Sequence, residues 1–358
     1  MYKSNELEVN KLMMEVLQKN ASDLHMVAGK PPTLRVDSVL VELEEYGILS
    51  GAAIGTMIDV LLGNDDRRKQ FREDLEVDFS YSYKDNIRFR GNAFMSKGTP
   101  AVALRLIPNK IKSIEELNLP KQVANFAANP QGLVLVVGPT GHGKSTTLSS
   151  MIDLVNHTRA SHIVTIEDPI EFIYTQDKSL ISQREVGVDT HGFTRALKSV
   201  LREDINVILV GEMRDLDSIS TTITLAETGH LVMATLHTND AAQSIDRMID
   251  VFPAYQQAQI RAQLSNVLLG VISQRLLPRI GGGRLPALEI MTNNNAVSNI
   301  IREGKTHQLP NVIHTSGGDG MISLDRYLAN LVSQGQVKLE DALPYTTDQS
   351  LFRGLLKI

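Results

Sequence analysis

Residues Gly138-Pro139-Thr140-Gly141-His142-Gly143-Lys144-Ser145 fit the pattern G-x-x-x-x-G-K-[ST] at every fixed position. The flanking sequence supplies the strand, loop and helix setting that the pattern needs. Leu133 to Val137 is a continuous apolar run of strand length, and Thr146 to Val155 has helix length with an apolar stripe. Glycine admits backbone conformations that turn successive N–H groups inward, and the helix that follows aims its positive end at the same point. A cradle running from Gly138 to Thr146 is therefore expected to hold nucleotide phosphate. Within it Lys144 is expected to reach the β- and γ-phosphates and Ser145 to offer its hydroxyl to Mg²⁺.

At 358 residues the chain exceeds one typical domain, and a hydrophobic content of 42% supplies a sizeable core. The formal charge of −5 comes without any block of Lys or Arg, which argues against nucleic acid as the main partner. Cysteine is absent, so disulfides, Cys-based zinc sites and thiol chemistry are excluded. Met1 to Asn20 is charged and amphipathic without a signal-type apolar region, and no run of 18 apolar residues occurs. A soluble, cytoplasmic protein is expected.

Taken in order, Leu12, Met13, Val16 and Leu17 recur at helical spacing. Leu34-Arg35-Val36 and Val39-Leu40-Val41 flank Asp37-Ser38 as a hairpin, and Ser50 is placed to cap a helix carrying Ile54, Met57, Ile58, Leu61 and Leu62. A polar helix is expected around Asp65 to Asp74. Three strands follow at Val77 to Tyr83, Ile87 to Met95 and Ala101 to Ile107, separated by Lys84-Asp85-Asn86 and Lys97-Gly98-Thr99-Pro100. Residues 1–108 thus read as a small α/β domain with an antiparallel sheet, residues 109–120 as a proline-bounded linker, and residues 121–358 as a second domain. In that domain helices alternate with apolar runs at Leu133 to Val137, His162 to Ile166, Val207 to Val210 and Leu231 to Leu236, the pattern of a mostly parallel sheet with its ligand at the carboxyl ends of the strands. After Pro253 amphipathic helices are expected, interrupted at Gly281-Gly282-Gly283 and at Ser316 to Gly320.

Several strand ends carry chemistry. Glu167-Asp168-Pro169-Ile170-Glu171 follows the second strand, where its carboxylates either serve Mg²⁺ or water, with Glu167 foremost, or cap a helix in solvent. The third strand ends at Gly211-Glu212, and a carboxylate there is placed to orient and polarise an attacking water. His230 and His237 stand at opposite ends of the fourth strand, so they cannot form one metal pair. His237 lies on the carboxyl edge and can face the γ-phosphate, whereas His230 suits a domain or subunit contact. Period-two alternation puts Arg88, Arg90 and Asn92 on one face of a strand, either as a solvated surface or as a functional one.

Together these motifs resemble the secretion and pilus motor ATPases, hexameric RecA-like enzymes, and among them the retraction class of type IV pili. The resemblance rests on Ser22-Asp23-Leu24-His25, the phosphate loop with Thr146-Thr147-Leu148, Ile166 to Phe172, Leu201-Arg202-Glu203-Asp204, Gly211 to Asp215, Glu227 to His230, Thr235 to Thr238 and Ile249 to Pro253. It implies a PAS-like N-terminal α/β domain before a RecA-like P-loop ATPase domain, and names the acidic segment an Asp box, the Gly-Glu strand end a Walker B and the histidines a His box. ATP and Mg²⁺ are the implied cofactors. The implied setting is a homohexamer at the inner-membrane base of the pilus, partnered by a membrane platform protein, in which Arg88, Arg90 or Arg105 completes a neighbour's active site. The class motif A-I-R-N-L-I-R-E-G-K reads Ala296 to Lys305 here, with Val297 and Ser298 departing from it, and His142 replaces a usual Ser. Assembly and secretion ATPases of the same family carry an extra N-terminal domain and a tetracysteine zinc site, whereas this chain starts at the PAS-like domain without cysteine. A nucleic-acid translocase on the same core is the alternative that charge disfavours.

Overall fold

Val9, Leu12, Met13 and Val16 bury one face of α1 (Tyr2–Gln18) against Ile54, Met57, Ile58 and Leu61 of α2 (Gly51–Leu62). The Ser50 hydroxyl caps α2 by accepting from Ala53 N–H at 3.1 Å. Asn64 does the same for α3 (Asp65–Asp74), accepting from Arg67 N–H at 2.8 Å. The molecule is described here from a computed structural model, covering residues 2–36, 39–84, 87–108 and 110–356, with side chains from residue 6 onward. Both Asp37-Ser38 and Asp85-Asn86, expected as turns, lie outside the described residues, as does residue 109 of the expected linker.

The chain divides into two compact units, Met1–Lys110 with Glu171–Ile173, and Ile111–Ile170 with Tyr174–Ile358. The first unit holds β1 (Asp23–Met26), β2 (Thr33–Val36), β3 (Val39–Glu42), β4 (Glu76–Tyr83), β5 (Ile87–Ser96) and β6 (Thr99–Ile107). They form one sheet in the order β3-β2-β1-β6-β5-β4, antiparallel throughout. Along β5, Phe89 and Ala93 face the core while Arg90 is exposed, the expected alternation. Gly91 also faces the core, where a Cβ would meet the Phe79 ring at 2.3 Å. This close approach explains the glycine.

The second unit is a helix-covered sheet. Its strands are β7 (Gly132–Val137), β8 (His162–Glu167), β9 (Leu180–Glu185), β10 (Val207–Val210), β11 (Leu231–Leu236), β12 (Leu268–Pro278) and β13 (Arg284–Thr292), in the order β13-β12-β7-β11-β10-β8-β9. All neighbours run parallel except β12 and β13. On one face α4 (Lys121–Ala128) and α5 (Lys144–Thr158) close a core with Val134, Val136, Met233 and Ile272. The other face carries α6 (Phe193–Val200), α7 (Leu216–Glu227), α8 (Ala241–Asp250), α9 (Ala254–Val267), α10 (Asn295–Glu303) and α11 (Leu309–Thr315) over Leu133, Leu135, Val164, Ile208 and Val232. A smaller core joins Leu277 and Leu285 of the β12–β13 hairpin to α12 (Leu324–Ser333), α13 (Leu339–Ala342) and α14 (Gln349–Leu356).

Two local readings change. Residues 111–120 form turns that bury Ile114 and Leu119 in the second unit, and Asn118, at φ 55°, ends them in the left-handed region. After Pro253 helices dominate as expected, but Leu268–Pro278 and Arg284–Thr292 interrupt them by pairing as an antiparallel hairpin around the Gly281-Gly282-Gly283 turn. Both strands are buried on two faces, so the apolar run lacks the alternation that separates strand from helix. No helix among the described residues is long and apolar enough to cross a membrane.

Candidate active site

The carboxyl ends of β7, β11, β10 and β8 bring the candidate residues to one edge, as parallel pairing requires. After Val137 the phosphate loop turns on Gly138, Gly141 and Gly143, at φ 143°, 79° and 80°, and Gly143 is the N-cap of α5. At Gly138 the demand is also steric, since a Cβ would lie 2.4 Å from the backbone oxygen of Gln274. Lys144 is buried and donates to the carbonyls of Gly138 and Pro139 at 2.8 and 3.0 Å. Its ammonium is thereby held inside the loop it serves. Ser145 and Thr146 follow in the first turn of α5, at its positive end.

Glu212 follows β10, and burial alone would raise its carboxyl. The hydrogen bond and charge of Arg214, with the imidazole of His237 on the other side, outweigh burial and hold it below the usual carboxylate range. Arg214 Nη2 donates to Glu212 Oε2 at 2.8 Å, and His237 Nε2 stands 3.3 Å from Glu212 Oε1. The other ring nitrogen of His237, Nδ1, lies 3.3 Å from Thr140 Oγ1 and 3.4 Å from Lys144 Nζ. An ammonium can only donate, so Nδ1 accepts and Nε2 carries the proton toward Glu212. A continuous polar chain thus runs from the phosphate loop through His237 to Glu212.

Glu167 ends β8 nearly buried, its Oε1 accepting from Thr165 Oγ1 at 2.7 Å. Gly211 lets the end of β10 pass close to it: a Cβ there would sit 3.0 Å from Ile166 O and 3.2 Å from Glu167 Cα. His230 stays apart from this edge. Its Nδ1 donates to Leu225 O at 2.9 Å, closing the C-terminal turn of α7, which accounts for it within the chain. Arg88, Arg90 and Arg105 belong to the first unit, so the second unit's edge brings together Thr140, Lys144, Glu212 and His237 without them. Arg105 stands opposite Arg90 across β5 and β6, and donates to Asp23 Oδ1 at 2.8 Å.

Two contributors escaped sequence reading. Arg214, quoted only as part of a motif, supplies the hydrogen bond and charge that, with His237, lower the Glu212 carboxyl against its burial. The hairpin strand β12 supplies Gln274, which touches the phosphate loop and the helix that follows it: Nε2 donates to His142 O at 2.8 Å, and Oε1 accepts from Thr147 Oγ1 of α5 at 2.7 Å. His142 itself uses Nδ1 to accept from Leu276 N–H at 3.0 Å, and its ring meets that of Tyr345 edge-on at 6.2 Å. The glycine triplet between two apolar runs was the available signal for this hairpin.

A family model described as Type II/IV secretion system protein matches residues 3–283. A Pseudomonas aeruginosa protein named Type IV pilus retractation ATPase PilT is 46% identical over 336 residues, covering 94% of this chain and 97% of the relative. A Neisseria gonorrhoeae protein named Twitching motility protein is 47% identical over 319 residues, covering 88% of this chain and 84% of the relative. Among solved structures, one of the pilus retraction motor PilT with bound ADP superposes with a TM-score of 0.89 at 42% identity, covering 96% of this chain and 98% of that one.

Proposed function

The chain belongs to the type II/IV secretion system protein family and is an ATPase, and on that premise we propose that it works as a hexameric motor retracting type IV pili. The observation that carries the catalytic part is the chain of contacts from Lys144 and Thr140 through His237 to Glu212. It couples the group that binds phosphate to the group that handles water. In this reading the backbone N–H groups of residues 138–146 and the Lys144 ammonium hold the triphosphate, and Glu212 accepts a hydrogen bond from the attacking water. Because Arg214 keeps Glu212 a weak base, the carboxylate orients and polarises water. His237 keeps that carboxylate aimed at the phosphate loop. The Ser145 hydroxyl and the carboxylates of Glu212 and Glu167 offer oxygen donors that suit Mg²⁺, which when bound with ATP neutralises phosphate charge.

The direction of work draws its support from likeness along nearly the whole chain to the proteins named for retraction and twitching. We place the motor in the cytoplasm at the inner-membrane base of the pilus, acting on a membrane platform protein. Arg88, Arg90 or Arg105 then acts on a neighbour's ATP. A clean deletion strain should keep or accumulate surface pili while losing twitching, and a bald strain would refute retraction. In the purified protein, Lys144→Ala and Glu212→Gln should both abolish hydrolysis but separate in binding. Lys144→Ala removes charge-assisted contacts and weakens ATP affinity by about tenfold or more, whereas Glu212→Gln retains ATP. Normal turnover in Glu212→Gln would remove it from the water-handling role.

A further inference from the structure

Strand β12 outruns its parallel partner. It pairs with β7 as far as Ser273 and Val137, where β7 gives way to the phosphate loop, yet continues to Pro278 against β13. Residues 274–276 therefore present their inner edge to the loop. Alternation sends successive side chains to opposite faces: Ile272 joins the core under α5, and Val271 joins the core under α8. By the same count Gln274 turns toward α5, while Ser273 and Arg275 turn toward α8.

Each of these polar side chains is buried. Such groups are costly unless every bond is made. On one face Gln274 bridges Thr147 Oγ1 and His142 O, and its own carbonyl fills the space that Gly138 leaves open. On the other face Arg275 Nη2 donates to Asn239 O at 2.9 Å and to Asn239 Oδ1 at 3.2 Å, and Ser273 Oγ donates to Asn239 O at 2.7 Å. Asn239 stands two residues after His237. Glu289, opposite Ser273 on β13, accepts from Ala241 N–H at 2.9 Å and fixes the first turn of α8. One strand end thus grips both loops of the site.

We propose that Gln274 and Arg275 are positioning residues with separate tasks: Gln274 holds the phosphate-binding loop, and Arg275 holds the loop from which His237 aims Glu212. The Arg275 half rests on the roles given above to His237 and Glu212. The two tasks predict opposite kinetic defects from adjacent residues. In full-length protein, Gln274→Leu should raise the Kd for ADP about tenfold, the scale of losing a buried hydrogen-bonding pair, with kcat at saturating ATP within about threefold of wild type. Arg275→Met should lower kcat about tenfold or more, leaving the Kd for ADP within about threefold. Calorimetric titration with ADP and steady-state ATPase assays read both.

Thr147→Val and Ser273→Ala each remove one hydrogen bond and should repeat the split in milder form, so loss of folding in either stronger variant leaves the question decidable. Parallel loss of affinity and kcat in both positions, or no change in either, overturns the proposal. Glu212→Gln serves as the control. If it turns over normally, the reading of Glu212 fails, while the ADP arm still decides the role of Gln274.

Discussion

Glu289 sits partly buried behind the first turn of α8, where it accepts the Ala241 N–H. Burial pushes its carboxyl up to about 7, against the Ala241 N–H bond and the nearby Arg275, which pull it down. Since its folded pKa lies above the ordinary value of 4.5, the folded protein keeps a proton that the unfolded chain releases. The associated stability is complete below pH 4.5 and is lost as pH rises toward 7, with a size on the order of 3 kcal/mol. Glu289→Gln keeps an oxygen for the Ala241 N–H and removes the titration. Its melting temperature should therefore fall less than that of wild type between pH 5 and pH 8, as scanning calorimetry would show. An equally steep fall in the variant would assign the pH dependence to other groups. His142 illustrates the opposite case, with burial first and then the charges of Arg275, Lys144 and Arg284 lowering its pKa. The imidazole is thus kept neutral, as its acceptance of the Leu276 N–H requires.

At the scale of elements, α10 shows how one short helix serves two demands. Asn294 caps it by accepting from Val297 N–H at 3.0 Å, and Gly304 ends it in the left-handed region at φ 70°. Val297 and Ile301 are fully buried and Ile300 is partly so, whereas Ala296 is exposed. Ser298, a departure from the retraction-class motif, donates to Ser265 O at 3.0 Å, tying α10 to α9. Arg302 and Lys305 remain exposed at the far end, Lys305 against Glu303 at 2.8 Å. The apolar stripe is core, and the basic end is available for contact. Replacing Arg302 and Lys305 together by Ala should then leave the melting temperature and ATPase rate near wild type while twitching stops and surface pili accumulate. Loss of ATPase in that variant would return the segment to a structural role. Elements of this kind were legible where a local signal existed: the Ser50 cap, the apolar run of β7 before its glycines, and the acidic end of β10. The hairpin of β12 and β13 was not, because burial on both faces removes the period by which a strand is recognised. Neither were the partners of Asn239 and Glu212, since Arg275 and Arg214 reach them through bonds that no spacing in the chain announces.

For the whole molecule, the proposed action of the first unit's arginines on a neighbouring chain can be tested from the charge pattern of that unit's sheet. Across its sheet, Arg90 lies opposite Arg105, Arg105 opposite Asp23, and Asp23 opposite Arg35. Like charges facing one another are unfavourable. Asp23 offsets part of this: burial would raise its carboxyl, but hydrogen bonds from Ser22 and Arg105 bring it below its ordinary value. The remaining positive charge favours an anion, and the Arg105 side chain is 71% exposed despite its bond to Asp23. If a neighbour's ATP is that anion, each site needs Lys144 from one chain and an arginine from the next. Subunits carrying Lys144→Ala, mixed in equal amounts with subunits carrying Arg88→Ala, Arg90→Ala or Arg105→Gln, test this one arginine at a time. Random assortment in a head-to-tail ring pairs an intact Lys144 with an intact arginine at about one quarter of interfaces. Hydrolysis should recover toward that fraction of the wild-type rate only for the arginine that acts in trans, an effect large enough to see because such residues accelerate transfer by about 10³ to 10⁵. Arg105→Gln retains a hydrogen-bond donor for the nearly buried Asp23, so a loss there reports on charge at the site more than on folding. No recovery with any of the three, or full activity in a protein that stays monomeric by light scattering, would show that each chain completes its own site.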